Sequence, residues 1–292
     1  MSLTFTSLHP TFAARASEVD LQNLKDKDIL EQIREAMETY GVLVFPQQNF
    51  SPEGQLAFAE RLDGAIHRKT SSRVLKKNKY GDEAITDISN VDHEGSVLQR
   101  HDRKRMNGLA NRLWHTDASF EDPAGRYSML YAKYIPEVRA DTHFADLRTA
   151  YDELDNSIKE EINDLKVQHS IVYSRKTLGF EFTEEESQQM PGAVHPLVRY
   201  FPKSQRHGLY LASHAQEIIG WPIPEGRLLL RDLMEHATRE AFVYAHEWSL
   251  HDLVIWDNRM TMHRATRFDD TKYRREMIRV TTLDMPHEHS TG

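Results

Sequence analysis

The chain has 292 residues and a formal net charge of −8, and it contains no cysteine. The lack of cysteine excludes disulfide scaffolds, thiolate catalysis, zinc ribbons and iron–sulfur clusters, so any metal must be held by histidines and carboxylates. The negative charge argues against a protein whose main task is to bind nucleic acid.

No run of 18 or more apolar residues occurs, and the start of the sequence lacks the basic and apolar regions of a secretion signal. We therefore expect no contact with a membrane and a cytoplasmic location. Glycine and proline are scattered, and neither a linker nor a repeat interrupts the chain. This pattern predicts a single domain over residues 1–292.

The first regular elements are predicted to be a helix, a strand and a second helix. Apolar positions recur at helical spacing over 28–40, and Gly41 is typical of a helix C-terminus. The apolar run 41–45 predicts a buried strand. Ser51, followed by proline, predicts the start of a helix that ends near residue 63.

The segment 64–112 is polar, charged and poorly periodic, which predicts loops with some strand over 84–91. It contains six basic residues between Arg68 and Lys79 and four between Arg100 and Arg105. These patches are either solvated loops or a mobile cationic lid over an anionic substrate, and we expect the lid to lie within 64–112.

The remainder of the chain predicts many short strands and two longer helices. Strand patterns cover 126–135, 208–212, 242–248, 253–256 and 278–283, with another strand starting at Thr142, and helical patterns cover 150–165 and 225–239. Such a succession predicts a fold that is mainly β with helical decoration (α+β), a β-sandwich. A double-stranded β-helix, the jelly roll of cupins, would bring residues 115 and 263 onto neighbouring strands.

The most informative motif is Trp-His-Thr-Asp at 114–117. A second segment far downstream, Met-His-Arg at 262–264, supplies another histidine that could bind the same metal. On a β-strand His115 and Asp117 would point to the same face and could hold one cation together. Two imidazoles and one carboxylate leave coordination positions open, the arrangement of non-haem Fe(II) oxygenases. By themselves the three residues could hold any hard divalent metal, and a zinc hydrolase is a weaker alternative because no general base stands at a recognised spacing.

The surroundings of this motif resemble the taurine and 2,4-dichlorophenoxyacetate dioxygenase family of Fe(II)- and 2-oxoglutarate-dependent oxygenases. The similarity is greatest to the 2,4-dichlorophenoxyacetate branch. The matching segments run in order along nearly the whole chain: Leu8-His-Pro-x-Phe-Ala-Ala, Val42-Leu-Val-Phe, Asp87-Ile-Ser-Asn-Val, Leu113-Trp-His-x-Asp-x-Ser-Phe, Arg126-Tyr-Ser-Met-Leu, Asp141-Thr-x-Phe, Arg148-x-Ala-Tyr-Asp, Glu225-Gly-Arg, Glu235-His-Ala-Thr, Trp256-Asp-Asn-Arg and His263-Arg.

The resemblance implies that His115, Asp117 and His263 are the iron ligands. Related radical halogenases lack this carboxylate ligand, so the presence of Asp117 argues against halogenation. The remaining histidines, including His143 and His251, match no ligand position, so we expect them to be packing or surface groups.

The resemblance also implies three residues that bind organic acids. Arg275 matches the arginine that pairs with the distal carboxylate of 2-oxoglutarate, Thr142 the hydroxyl that donates to the same carboxylate, and Arg279 the arginine that holds the acidic head of the substrate. Arg275 and Arg279 are four residues apart and would share one face of a strand. Arg274, the alternative for the 2-oxoglutarate role, would then point away, and we expect it to be a surface charge.

The implied reaction consumes Fe(II)-bound 2-oxoglutarate and O₂, releases succinate and CO₂, and oxidises a C–H bond of a small anionic organic substrate. For an aryloxyalkanoate, hydroxylation beside the ether oxygen would cleave the ether. Two alternatives remain open: a natural-product tailoring oxygenase that hydroxylates, desaturates or cyclises an amino-acid-derived or other small acid, and a 2-oxoglutarate-binding sensor without turnover. The resemblance further implies a homo-oligomer, either a dimer or a tetramer.

Overall fold

The computed structural model describes residues 2–68 and 79–285. Its helices, in chain order, are α1 (Lys27–Tyr40), α2 (Pro52–Asp63), α3 (Arg103–Gly108), α4 (Leu147–Asp152), α5 (Asn156–Ile162), α6 (Ile171–Lys176), α7 (Glu184–Gln188) and α8 (Ile223–Ala237). Two short 3₁₀ helices span Leu109–Arg112 and Glu240–Phe242.

The strands are β1 (Phe5–Ser7), β2 (Ala14–Ala16), β3 (Val42–Phe45), β4 (Ile85–Ser89), β5 (Gly125–Tyr134), β6 (Thr142–Asp146), β7 (Lys166–His169), β8 (Ala193–Pro196), β9 (Val198–Phe201), β10 (Arg206–Leu209), β11 (Ala215–Ile218), β12 (Val243–His246), β13 (Leu253–Asp257), β14 (Thr261–Ala265) and β15 (Glu276–Leu283). Seven of them form a sheet in the order β1-β2-β3-β13-β5-β15-β4. Three more form the sheet β12-β6-β14, and the others form the sheets β11-β7-β8 and β10-β9. The β2–β3 pair is parallel and the other pairs are antiparallel.

The seven-stranded sheet is covered on both faces. Leu43 and Phe45 lie on one face, in an apolar cluster with the buried side of α1 and α2. Val42 and Val44 lie on the opposite face, in a second cluster that includes Phe144 of the sheet β12-β6-β14. Because side chains alternate along a strand, β3 is buried on both sides, as its unbroken apolar run predicts. The expected sandwich with helical decoration is confirmed.

Local signals set the ends of the first two helices. The Asp26 carboxylate accepts a hydrogen bond from the Asp28 amide at 2.9 Å, and Gly41 ends α1 at φ +69° while donating its amide to Met37 O at 2.8 Å. The Ser51 hydroxyl accepts from the Gly54 amide at 3.0 Å at the start of α2. These are ordinary N-caps and a left-handed C-terminus, so both predicted helices are confirmed.

The predicted helix over 150–165 is wrong in its bounds, because two helices replace it. The Asp146 side chain caps α4 by accepting from the Arg148 amide, which starts that helix before Ala150. The α4 helix ends at Asp152, and α5 begins at Asn156 after Asp155. Asp and Asn favour turns and helix N-termini, and this local preference outweighs a continuous helical pattern.

The two basic patches differ in what the structure describes. Residues 69–78 of the first patch lie outside the described residues. In the second patch three of the four basic side chains are ion-paired: Arg103 to Glu186 at 2.6 Å, Lys104 to Asp87 at 2.8 Å and Arg105 to Asp270 at 2.8 Å. Among residues 2–68 and 79–285, no helix has the length and apolar character that crossing a membrane requires.

Candidate metal centre and active site

The structure brings His115, Asp117 and His263 together between the two facing sheets. His263 lies on β14, and His115 forms a single β-bridge with it, in which each amide donates to the other's carbonyl at 3.0 and 2.9 Å. His115 Nε2 is 3.8 Å from Asp117 Oδ1, and His263 Nε2 is 3.7 Å from Asp117 Oδ2. All three ligand atoms lie within 4.8 Å of one another, and all three residues are buried.

The premise that His115 and Asp117 lie on a regular strand is wrong. His115 forms only an isolated bridge, and Asp117 follows in a turn. The side chain between them, Thr116, still points elsewhere, because its hydroxyl donates to Leu211 O at 2.8 Å. The alternation that the sequence argument required is therefore present, although one bridge and a turn provide it instead of a strand.

The donor atoms suit a divalent metal ion. His115 Nδ1 lies 2.8 Å from Leu113 O, so this nitrogen carries the proton and leaves Nε2 free as a ligand. Burial lowers the pKa of His115 to about 4, so the ring is neutral, as a metal ligand must be. Burial also lowers the pKa of His263, and the neighbouring His115 adds to that shift. Burial opposes ionisation of Asp117, yet the charge of Arg279 and the hydrogen bond from Ser128 help to hold its pKa below the usual range.

Asn258 and Ser128 fix the position of the Asp117 carboxylate. The Asn258 side chain accepts a hydrogen bond from the Asp117 amide at 3.0 Å and donates to Ser128 Oγ at 2.9 Å. Ser128 Oγ in turn donates to Asp117 Oδ2 at 2.8 Å, and Trp256 Nε1 donates to Asn258 Oδ1 at 3.0 Å. Both the backbone and the side chain of the candidate ligand are therefore held by one network, a role that the sequence motif around Asn258 did not reveal.

The candidate metal site opens into a cavity of about 260 Å³. All six residues that the sequence singles out line it: His115, Asp117, Thr142, His263, Arg275 and Arg279. Arg274 is directed elsewhere, since its Nε donates to Glu276 Oε1 at 2.6 Å and its guanidinium lies 4.8 Å from the Tyr134 ring centroid. The structure therefore favours Arg275 over Arg274 as a cavity group.

Arg275 and Thr142 form a set of unsatisfied donors. The Arg275 side chain is buried, and its Nε and Nη2 atoms have no hydrogen-bond partner among the described residues. Burial lowers its pKa to about 10, which still leaves a cation at neutral pH. Thr142 Oγ1 accepts from Trp248 Nε1 at 3.0 Å, so its own proton is available to another acceptor. Two guanidinium donors and a hydroxyl that line one cavity suit the two oxygens of a carboxylate.

Arg279 lies directly beside the candidate metal ligands. Its Nη1 donates to Asp117 Oδ1, and its Nε has no partner among the described residues. The guanidinium therefore reaches both the ligand carboxylate and the cavity. Its remaining donors could bind a second anion next to the metal position.

Sequence reasoning missed a polar group near the candidate metal ligands, a histidine whose ring centroid lies 6.0 Å from that of His115. His214 is buried and lines the cavity, with Nδ1 at 3.1 Å from Ser119 Oγ and Nε2 at 3.2 Å from Arg175 Nη1. The expectation that every other histidine is a packing or surface group is therefore incomplete for His214. Neither His214 nor Arg175 belongs to a recognisable motif, and Arg175 lies in the stretch 168–205, for which the sequence indicated no element.

The rest of the cavity wall includes a cluster of large apolar side chains. Three of them come from the segment that contains α6 and α7, one from the 3₁₀ helix Leu109–Arg112, and two from loops. They are Ile171, Phe182 and Met190, together with Leu109, Phe120 and Phe268. The cavity thus combines cationic groups at the metal end with an apolar wall that can cover the body of an organic molecule.

A comparison with protein families gives a match over residues 4–281 to the model described as taurine catabolism dioxygenase TauD, TfdA family. The chain belongs to this family. The resemblance inferred from the motifs is confirmed. The protein is therefore an oxidoreductase. Thr142, Arg275, Arg279 and the three candidate metal ligands all fall within the matched range.

Individual relatives are similar over almost their whole length. The alpha-ketoglutarate-dependent 2,4-dichlorophenoxyacetate dioxygenase of Cupriavidus pinatubonensis is 41% identical over 288 residues, covering 97% of this chain and 99% of the relative. The (S)-phenoxypropionate/alpha-ketoglutarate-dioxygenase of Sphingobium herbicidovorans is 32% identical and covers 91% of this chain and 90% of the relative. A crystal structure of AAD-2 in complex with Mn(II) and N-oxalylglycine is 40% identical, with a TM-score of 0.88 and 98% coverage of both chains.

Proposed function

We propose that this chain oxidises a C–H bond of a small carboxylate, with an aryloxyalkanoate as the leading substrate type, and releases succinate and CO₂ from 2-oxoglutarate. The observation that carries the proposal is the cavity itself, in which a His-Asp-His set, an unpaired buried Arg275 and a second arginine, Arg279, face one space. The two relatives described above, at 41% and 32% identity, are dioxygenases of aryloxyalkanoic acids by name.

Fe(II), 2-oxoglutarate and O₂ are the cofactor and co-substrates of this enzyme class. His115, Asp117 and His263 would hold the metal, because their ligand atoms converge and their imidazoles are neutral. When bound, Fe(II) supplies the redox chemistry that couples decarboxylation of 2-oxoglutarate to activation of O₂. Three protein ligands on one side leave the positions that such chemistry requires.

The side chains of this protein would bind and orient the two acids. Arg275 and Thr142 would hold the distal carboxylate of 2-oxoglutarate, because their donors lack acceptors in the described structure. Arg279 would hold the acidic head of the substrate beside the metal. The apolar wall would exclude water and keep one C–H bond nearest the oxidising centre, and such placement decides which hydrogen is removed.

The first experiment tests the iron and 2-oxoglutarate site. Anaerobic addition of Fe(II) and 2-oxoglutarate should give a weak visible charge-transfer band, and His263→Ala should abolish it. His143→Ala is the matched control, because His143 lies on the paired strand β6 and does not line the cavity; it should retain the band. Metal-replete wild-type protein without the band would refute the proposed site.

The second experiment tests the substrate. Succinate release should be measured with 2,4-dichlorophenoxyacetate, 2-phenoxypropionate and a set of amino-acid-derived acids. Stimulation by the first two supports an aryloxyalkanoate. Stimulation by the amino-acid-derived acids alone would replace it with a natural-product tailoring reaction, and 2-oxoglutarate binding without succinate formation would indicate a sensor.

The proposal extends to the domain organisation, a lid and the oligomeric state of the enzyme. We propose that residues 1–292 form one dioxygenase domain, which agrees with a family match over 4–281. The segment 64–112 would contribute a lid, and its described part, including Asn107, Leu109 and Arg112, already lines the cavity. We also propose that the enzyme is a cytoplasmic homo-oligomer, either a dimer or a tetramer, which size-exclusion chromatography with light scattering would test.

A further inference from the structure

Besides Arg275 and Arg279, the cavity is lined by Arg175, which has no ion-pair partner in the described part of the chain. It lies near the end of α6 and is 7% exposed. Its Nη1 donates to Ser174 Oγ at 3.1 Å and lies 3.2 Å from His214 Nε2, while its Nε has no partner among the described residues. Within residues 2–68 and 79–285, no carboxylate oxygen lies within 4.0 Å of this guanidinium.

The neighbours of Arg175 orient it without neutralising it. Burial lowers the pKa of His214 well below its usual value, so this imidazole is neutral. Its Nδ1 proton can be donated to Ser119 Oγ at 3.1 Å, which leaves Nε2 to accept from Arg175. Ser174 contributes a second uncharged acceptor. The positive charge of Arg175 is therefore held in a fixed position, attracted by Asp117 but without a directly paired carboxylate among the described residues.

The cavity contains more arginines without a carboxylate partner, among the described residues, than the distal carboxylate of 2-oxoglutarate can pair with. Lys104 and Arg105 also line the cavity, but each has a carboxylate partner at 2.8 Å. By contrast, Arg175 and Arg275 have none among the described residues, and Arg279 is paired with Asp117, the candidate metal ligand. Pairing Arg275 with the distal carboxylate of 2-oxoglutarate would leave Arg175 and Arg279 as the cations that face the substrate. Buried cations need a counter-charge, so the substrate is the natural source of it.

Arg175 and Arg279 approach the cavity from different elements. Arg175 is on α6, whereas Arg279 is on β15, and they are near enough for Arg279 to help lower the pKa of Arg175. Burial is the larger cause and brings that pKa to about 10, so Arg175 is charged at neutral pH. Two cations that repel each other across a cavity are stabilised together by an anion placed between them.

We propose that Arg175 is a substrate-binding residue that holds the acidic head of the substrate together with Arg279. This inference rests on the proposed function, and it adds a second guanidinium on the wall formed by α6. The same stretch of chain supplies Ile171, Phe182 and Met190 to the apolar wall. One segment would therefore recognise both the charge and the body of the substrate.

Calorimetric titration of the inert complex with Mn(II) and N-oxalylglycine tests the proposal without turnover. The probes are 2,4-dichlorophenoxyacetate, 2-phenoxypropionate and phenoxyacetate, each compared with its neutral primary amide. The variant Arg175→Gln should bind the acids about tenfold or more weakly, which corresponds to the loss of one charge-assisted hydrogen bond. Its affinity for the amides and for N-oxalylglycine should change less than about twofold, because a neutral head makes no use of the charge.

Arg112→Gln is the matched control. Arg112 lines the same cavity, but its guanidinium is ion-paired to Asp270 at 3.4 Å, so its removal should weaken acid binding by less than about threefold. Arg175→Lys keeps the charge and should fall between the wild type and Arg175→Gln. It also provides the comparison if the glutamine variant folds poorly.

Three outcomes would overturn the role of Arg175. They are unchanged acid affinity in Arg175→Gln, an equal loss for acids and amides, and a wild-type complex that binds none of the acids. N-Oxalylglycine binding in the same titrations separates this failure from failure of the proposed function. If the wild type binds N-oxalylglycine and shows the charge-transfer band with 2-oxoglutarate, the oxygenase site stands and only the acid-binding role is lost.

Discussion

Replacing Arg275 with methionine should stabilise the apoprotein and weaken 2-oxoglutarate binding at the same time. Arg275 is 7% exposed, and two of its donors, Nε and Nη2, lack partners among the described residues. Asp141 attracts its charge, but that carboxylate is already bonded to Arg139 Nε at 2.7 Å. A methionine of similar length would fill the space without burying a charge.

The size of each effect follows from these contacts. An unsatisfied buried donor costs about 1–3 kcal/mol. Because Asp141 partly compensates the charge, Arg275→Met should raise the unfolding free energy of the apoprotein by about 1–2 kcal/mol. At a 2-oxoglutarate concentration of 100 times its Kd, the wild type should gain about 2.7 kcal/mol in unfolding free energy. Loss of two charge-assisted hydrogen bonds should raise Kd by about 100-fold or more, which reduces that gain to about 0.4 kcal/mol.

Urea unfolding followed by tryptophan fluorescence measures both effects, with Mn(II) present and with or without 2-oxoglutarate. The Arg275→Met curve should lie at higher urea than the wild type without ligand and should hardly move when ligand is added. Arg274→Met is the adjacent control, and it should leave the ligand-induced shift unchanged because Arg274 contacts Glu276 and Tyr134. A less stable apoprotein, or a full ligand-induced shift in Arg275→Met, would refute the assignment of Arg275 as an unpaired carboxylate-binding group.

Three further predictions follow from the site and the fold. Asn258→Ala should weaken Mn(II) binding about 10- to 100-fold in calorimetric titrations, because the Asp117 amide and Ser128 lose their shared partner; unchanged affinity would contradict that positioning role. Arg279→Ala should raise KM for the prime substrate more than KM for 2-oxoglutarate in succinate-release assays, and the reverse order would show that the two acid-binding arginines have been exchanged. Gly41→Ala should lower the unfolding free energy in urea by about 1–2 kcal/mol, because residue 41 has φ +69° and an added Cβ would lie 3.3 Å from both Arg148 Nη2 and Thr261 Cγ2; an unaltered midpoint would show that this turn is not strained.

The parts of the fold that depend on local chemistry could be predicted from the sequence. Asp26, Gly41 and Ser51 act within one turn of their own positions, so the bounds of α1 and α2 follow from neighbouring residues. The candidate metal ligands could be found because two of them lie in one continuous motif at 114–117, and the third, His263, lies in a recognisable motif of its own.

The remaining parts depend on tertiary contacts that no local pattern records. Arg175 and His214 are in direct contact although they are 39 residues apart in the chain, and α6, which carries Arg175, has only six residues. Asn258 lies in a recognised motif, but its role depends on the position of Ser128 on another strand. Sequence patterns identify helical and strand periods well, whereas polar residues that converge from separate segments leave no periodic signal.

The reciprocal backbone bond between His115 and His263 has a consequence for how the protein matures. The two ligands belong to distant parts of the chain, so the unfolded polypeptide contains no preformed metal site. Once this bridge has formed, the two amides and carbonyls keep both imidazoles at a fixed spacing without help from an ion. Metal loading is therefore expected to follow folding, and the long-range closure that joins the two halves of the site should contribute to the folding barrier.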